Sequence, residues 1–229
     1  MACRVLRRGH RAPLSFLKHG LIAPGSSLAY GPRMSLLIYG DSRSGNCLKV
    51  KWTARRRGIP FEWREVDVMT GYTRTPEYLA INPAGQVPAV VLPDGRLLAQ
   101  SNAIILHLAE GSELIPADAY DRARMLEWLF WEQYSHETAI AVARYRMLFL
   151  GQSRDELEPR LIERGEAALA RLELGLQESA FLVGGGVTLA DLALVAYTRW
   201  AHEGGFELAS YPKVREWIGR VEQALDITD

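Results

Sequence analysis

Three short stretches of this sequence carry residue types that could do chemistry together. The first is Asn82-Pro83-Ala84-Gly85-Gln86-Val87-Pro88-Ala89-Val90-Val91. Pro88 stands at the mouth of an apolar, strand-like run, where a proline cannot donate a ladder hydrogen bond. Such prolines sit at strand starts and tight turns, where cis X-Pro bonds concentrate. A cis Val87-Pro88 bond would leave the Val87 N–H and C=O free to grip another extended backbone. The second stretch is Gln100-Ser101, polar residues opening a helix whose N-terminal amides favour an anion. A peptide with a free carboxylate would suit the pair. The third is Ser44 in the turn Gly40-Asp41-Ser42-Arg43-Ser44-Gly45. Its hydroxyl reads equally as a helix N-cap or as a donor to a developing anion.

Regular elements must hold these stretches. Residues 35–39 form a short apolar run. Residues 46–57 have helical spacing, with Cys47, Val50 and Ala54 on one face, and stop at Gly58-Ile59-Pro60. Residues 61–68 alternate apolar and polar, as a half-buried strand does. Thr75-Pro76 opens a short helix with proline at its first position. Residues 87–92 and 96–99 flank Pro93-Asp94-Gly95 and read as a β-hairpin. Residues 101–109 are a helix. The order strand, helix, strand, helix, hairpin, helix predicts a small mixed sheet.

Residues 111–116 read as a linker, and beyond them strand signals vanish. Residues 119–148 and 156–178 have long helical patterns. Thr188-Leu189-Ala190-Asp191 reads as a capping-box variant, and the helix it opens is apolar nearly all round and belongs at a centre. Tyr211-Pro212 opens a last helix. The expected domains are thus a mixed α/β domain over 34–112 and an all-helical one over 119–229.

Residues 1–33 stand apart, with Arg4, Arg7, Arg8, Arg11, Lys18 and Arg33, no acidic residue, and Gly, Ser and Pro breaks. They read as a transit peptide or as the product of an upstream start codon with Met34 the first functional residue. Either way the extension is expected to be poorly ordered.

The 229 residues carry no net formal charge, which gives no electrostatic reason to expect nucleic acid or an anionic membrane as partner. No apolar run would span a bilayer. Cys3 and Cys47 are the only cysteines, which favours a reducing, cytoplasmic setting without a disulfide framework. No His/Cys cluster has zinc-like spacing. Gly184-Gly185-Gly186 lacks the lysine of a phosphate-binding loop.

From Met34 to about Leu225 the chain resembles the cytosolic glutathione S-transferases. The likeness rests on Asn82-Pro83-x-Gly85-x-Val87-Pro88, which resembles the family's cis-proline segment. Gln100-Ser101-x-Ala103-Ile104 is similar to its γ-glutamyl-binding helix start, and Val187-Thr188-Leu189-Ala190-Asp191-Leu192 to its helical-domain capping box. The resemblance implies a thioredoxin-like domain followed by an all-helical domain, a glutathione site in the first, a variable electrophile site between them, and a homodimer. It is closest in kind to the serine-type, bacterial theta-, beta- or zeta-like members.

By that resemblance Ser44 is the catalytic position, with Tyr39 too early in the turn, and Asn46 is either a second donor to the sulfur or an exposed first-turn residue. The chemistry is demanding but feasible. A free thiol of pKa ~8.5 is little ionised at neutral pH, and lowering it by about two units needs roughly 2.7 kcal/mol. A charge-assisted hydrogen bond and a helix N-terminus can together supply that. The resemblance also places Val87 and Pro88 against the cysteinyl unit, Gln100 and Ser101 at the γ-glutamyl end, and Gln86 and Arg74 near the glycyl carboxylate. Gln100 replaces the acidic residue many relatives have. Only the second position of a Cys-x-x-Cys pattern is a cysteine, Cys47, so a dithiol mechanism is excluded; on a helix interior it reads as a small buried hydrophobe.

Trp128, Phe130, Trp131 and Tyr134 make an aromatic-rich stretch, most of it expected as core between the two domains; the family uses the inner face of this helix for the electrophile pocket, which points to Trp131, Tyr134 and His136, with Arg144 a further polar candidate. The expected function is activation of the glutathione thiol for attack on a small hydrophobic electrophile, in detoxification, with glutathione as cosubstrate and no metal or prosthetic group. The rivals are a glutathione-dependent disulfide reductase or peroxidase and a non-catalytic binding protein on the same fold.

Overall fold

The computed structural model describes residues 35–228; the basic extension over 1–33 lies outside them. Strand β1 (Leu36–Gly40) alternates buried and half-buried side chains and feeds helix α1 (Gly45–Arg56). The chain returns as β2 (Phe61–Glu65), parallel to β1. A parallel neighbour requires a crossover, and α1 is that crossover. Two short 3₁₀ turns and α2 (Pro76–Ile81) come next, with Thr75 accepting from the Tyr78 N–H and Pro76 at the first helical position.

Strands β3 (Ala89–Val91) and β4 (Leu97–Ala99) form the hairpin, antiparallel to each other, with β3 antiparallel to β1. The sheet order is β2-β1-β3-β4. The hairpin is a three-residue connection. The Leu92 carbonyl accepts from the Gly95 N–H and the Leu92 N–H donates to the Arg96 carbonyl, both at 2.8 Å. Gly95 takes φ +84°, the left-handed position that closes such a turn. Helix α3 (Ser101–Leu108) completes this thioredoxin-like half.

The rest of the described chain is helical: α4 (Ala119–Trp131), α5 (Glu137–Leu150), α6 (Pro159–Gly175), α7 (Leu189–Thr198) and α8 (Pro212–Leu225). The single long helix expected from 119 to 148 is instead α4 and α5 joined by a π turn, Glu132–His136. A π turn takes in one extra residue and offsets the phase of the helix after it. Glu132 and His136, its first and last residues, are both wholly buried.

Every residue of α7 is buried. Its start is built as the spacing predicts. Thr188 accepts from the Ala190 N–H (3.2 Å), and Asp191 accepts from the Thr188 N–H (2.9 Å) and hydroxyl (3.1 Å). The other Asp191 oxygen takes the Leu182 N–H and the Trp217 indole N–H, both at 2.9 Å. One carboxylate thus ties α7 to α8 and to the preceding loop.

Helix α1 lies between the sheet and α7. A Cβ on Gly45 would stand 2.9 Å from the Ala196 carbonyl and 3.0 Å from the Tyr197 ring. Only glycine lets the first turn of α1 close on α7, and that approach sets Ser44 beside Tyr197. The main core runs from Leu36 and Ile38 through Ile104 and Ile105 to Leu192, Trp217 and Leu225, so both halves share it.

Candidate active site

The loop between β1 and α1 is held by Asp41, which is almost wholly buried. Its carboxylate takes the Arg43 guanidinium (2.7 and 2.9 Å), the Arg43 N–H (2.9 Å) and the Val68 N–H (3.3 Å). Burial alone would raise the Asp41 pKa; the Arg43 hydrogen bonds and the Val68 N–H outweigh it and keep the carboxyl below its ordinary value. The turn fixed in this way delivers Ser44 to the N-cap position of α1. The Ser44 side chain makes no capping hydrogen bond there. Its hydroxyl oxygen instead lies 3.4 Å from the Tyr197 hydroxyl.

Across from it the Val87–Pro88 bond is cis. The Gln86 carbonyl accepts from the Tyr78 hydroxyl (2.9 Å) and the Asn82 amide (2.7 Å), which pins the chain just before Val87. The β3 ladder begins only at Ala89. Gln100 then takes φ +70°, a left-handed conformation uncommon for a non-glycine. This sharp turn opens α3, and Gln100 and Ser101 border the same cleft as Val87 and Pro88.

Two cavities meet at Val68, Val87 and Tyr145. The larger, about 620 Å³, is bordered by Arg74, Gln86, Val87, Pro88, Gln100 and Ser101 and, from the helical half, by Gln133 and Glu137. The smaller, about 120 Å³, holds Ser44, Arg43, Ala141, Arg144, Phe149 and Tyr197. Tyr145 and Phe149 stack at 5.5 Å between ring centres, and the Arg43 guanidinium lies 5.0 Å over Phe149.

A polar network crosses between the halves at the Ser101 end. Asn46 donates to Glu137 (2.7 Å) and accepts from the Lys49 ammonium (2.8 Å) and the Ser101 hydroxyl (3.0 Å). Gln133 donates to both Glu132 (2.8 Å) and Glu137 (2.7 Å). Lys49 pairs with Glu132 at 2.8 Å. The charges of this cluster are one ammonium and two carboxylates, so one negative charge is left over at the cleft edge. Burial raises the Glu137 pKa, Lys49 opposes the rise, and the neighbouring Glu132 carboxylate adds to it.

Several expectations are corrected. Asn46 is not a second donor beside Ser44, because its side chain is committed to Glu137, Lys49 and Ser101 and borders only the larger cleft. Tyr134 is 83% exposed. Trp131 packs edge-on against Trp128 at 5.3 Å and under Arg171. His136 is fully buried, and its Nε2 lies 2.9 Å from the Thr198 hydroxyl. None of the three borders the small cavity. The π turn offsets the helix there, and α5 supplies that wall one to three turns later, through Ala141, Arg144, Tyr145 and Phe149. Of the polar candidates on this helix, Arg144 reaches the cavity; its Nη1 also donates to the Arg43 carbonyl at 2.7 Å. Burial pushes the Cys47 thiol up to about 12, so it stays protonated and is no nucleophile.

Glu137, Gln133 and Tyr197 escape sequence reasoning. Glu137 had one signal, a carboxylate within a stretch whose neighbours Ala139 and Ile140 belong to the core. Tyr197 had none, sitting in an apolar helix among core residues. Among the described residues no group of His, Cys, Asp or Glu could hold a metal ion, and no helix is long and apolar enough to cross a membrane.

Comparison with known proteins agrees with this geometry. Residues 43–110 match the glutathione S-transferase N-terminal domain family and residues 137–220 the glutathione S-transferase C-terminal domain family. Glutathione S-transferase theta-1 of Homo sapiens is 32% identical, covering 84% of each chain. Theta-3 of Mus musculus is 31% identical, over 82% of this chain and 83% of its own. Among solved structures, a glutathione S-transferase from Pseudomonas fluorescens superposes with TM-score 0.80 at 44% identity, over 82% of this chain and 95% of its own. One from Xanthobacter autotrophicus gives 0.77 at 48%, over 82% and 93%. With both of its domains matched and its fold shared, this chain belongs to the glutathione S-transferase family.

Proposed function

We propose that the chain is a glutathione transferase that ionises the glutathione thiol at Ser44 and directs it at a small electrophile in the adjoining cavity. The observation that carries this is the Ser44 hydroxyl, placed at a helix N-terminus, free of any capping bond, in a cavity it shares with Val87 beside cis-Pro88. Val87 pairs its backbone with the cysteinyl unit. The first amides of α3 and Ser101 take the γ-glutamyl carboxylate. The surplus charge of Glu137 takes the γ-glutamyl ammonium, the partner that Gln100 cannot be. Arg74 and Gln86, which border the same cleft, take the glycyl carboxylate. The α1 N-terminus and the Ser44 O–H stabilise the thiolate, and the nucleophile is the cosubstrate's own sulfur. A cavity of about 120 Å³ with stacked aromatic walls suits an electrophile of about one ring.

A role in cytoplasmic detoxification and a homodimeric state belong to the same reading. Phe130 and Tyr134, one turn apart, are 73% and 83% exposed, which supports coverage by a second copy; sedimentation of a dimer, weakened by Tyr134→Glu, is the expected result. The function is tested by calorimetry with glutathione and by assays on aryl halides, peroxides and disulfides. Ser44→Ala is expected to lower conjugation roughly ten-fold or more, as loss of one donor to a developing anion does, with glutathione affinity little changed. Unchanged turnover would reduce Ser44 to a structural residue.

A further inference from the structure

The site is completed by a residue from the helical half. Tyr197 is 7% exposed, borders the small cavity, and has its hydroxyl 3.4 Å from that of Ser44. Either hydroxyl could donate across this contact, and the Ser44 oxygen is an acceptor within reach of the Tyr197 proton. A phenol is the stronger donor of the two hydroxyls. Burial raises the Tyr197 pKa above its ordinary value, so the proton is present at working pH. If Ser44 donated to Tyr197 instead, its proton would be turned away from the ligand. The cap position leaves the Ser44 hydroxyl without a backbone amide to fix its rotation.

The geometry points to Tyr197 as a positioning residue that orients Ser44, in a relay from the Tyr197 O–H to the Ser44 oxygen and from the Ser44 O–H to the ligand sulfur. It rests on the thiol-ionising function argued above. No proton is transferred in the relay; it sets the direction of each donor, and each bond polarises the next. The 3.4 Å separation shortens when the sulfur arrives, as active-site hydrogen bonds do on ligand binding.

The test is an ultraviolet titration of the thiolate of bound glutathione in four proteins: wild type, Tyr197→Phe, Ser44→Ala and the double variant. Phenylalanine keeps the buried ring, and a retained melting temperature verifies that the fold is intact. Tyr197→Phe is expected to raise the thiol pKa by about 0.5–1 unit. Below that pKa it should lower kcat about three- to ten-fold while glutathione Kd stays the same. In the Ser44→Ala background the same change should move nothing further, because the relay acts through Ser44. An unchanged pKa in Tyr197→Phe overturns the relay while leaving the function standing. A further shift in the double variant also overturns it, since Tyr197 would then act on sulfur directly. Absence of thiol ionisation in the wild type overturns the function, and the relay with it.

Discussion

The Lys49 ammonium lies 2.8 Å from the Glu132 carboxylate, and neither side chain has any exposed surface. The bond joins α1 of the thioredoxin-like half to the π turn of the helical half. Burial would raise the Glu132 pKa, but Lys49 and the surrounding amide donors prevail and keep it ionised below its ordinary value. Asn102 and Gln133 fill the other Glu132 oxygen, at 3.1 and 2.8 Å. Such a pair is costly to split because the partner left behind is a bare buried charge. Lys49→Met or Glu132→Leu alone is expected to destabilise the fold by about 3–5 kcal/mol. The double variant should recover most of that, read from urea denaturation of all four proteins.

Glu137 should discriminate ligands by their amino group. Glu137→Gln keeps the shape and removes the surplus charge. A hydrogen bond to a charged group contributes roughly 1.5–3 kcal/mol, so glutathione Kd should rise about ten- to hundred-fold. An analogue lacking the γ-glutamyl ammonium should bind both proteins alike. Calorimetry with the two ligands separates this role from a general loss of structure.

Asp191 and Thr188 share one motif but carry unequal loads. Thr188→Ala removes a cap worth about 1 kcal/mol. Asp191→Ala strands donors from Leu182, Thr188 and Trp217 in the interior, and unsatisfied buried donors cost about 1–3 kcal/mol each. A loss of about 3 kcal/mol or more is expected for Asp191→Ala, against about 1 for Thr188→Ala, measured by thermal and denaturant unfolding. Equal losses would show that Asp191 does no more than cap.

His136 makes stability depend on pH. The Thr198 hydroxyl donates to the Leu194 carbonyl (2.7 Å), so it accepts from His136 Nε2–H. Burial, reinforced by Lys49 and opposed by Glu132, lowers its pKa from 6.5 to about 4. Between those values the unfolded chain binds a proton that the folded one refuses. Stability is therefore full above about pH 6.5 and falls as pH drops towards 4, by on the order of 3 kcal/mol. His136→Gln should flatten that window in pH-dependent urea unfolding; an unchanged slope would assign the dependence to other groups.

The sequence displays its local devices openly. The hairpin shows in Pro93-Asp94-Gly95, the start of α7 in Thr188 and Asp191, and the bend at Val87-Pro88 in its own dipeptide. Each is decided by residues within a few positions of one another. Arg74, Gln86, Val87, Pro88, Gln100 and Ser101, assigned through the resemblance, border the larger cavity together. Glu137 meets Asn46 across 91 positions, and Tyr197 meets Ser44 across 153. No local pattern encodes such meetings; they arise from how α7 and α5 pack on α1. Trp131, Tyr134 and His136 mislead because a regular helical wheel is the natural reading of 119–148, and a single π turn defeats it.

That irregular turn has a wider consequence. The chain sets which side chains face the small cavity not by changing them but by slipping the helix one residue out of step ahead of them. Removing a single residue between 132 and 136 would rotate the whole wall downstream by roughly a quarter turn, carrying Arg144, Tyr145 and Phe149 away together. The lining of that cavity is therefore open to change through length at one point as well as through composition at many.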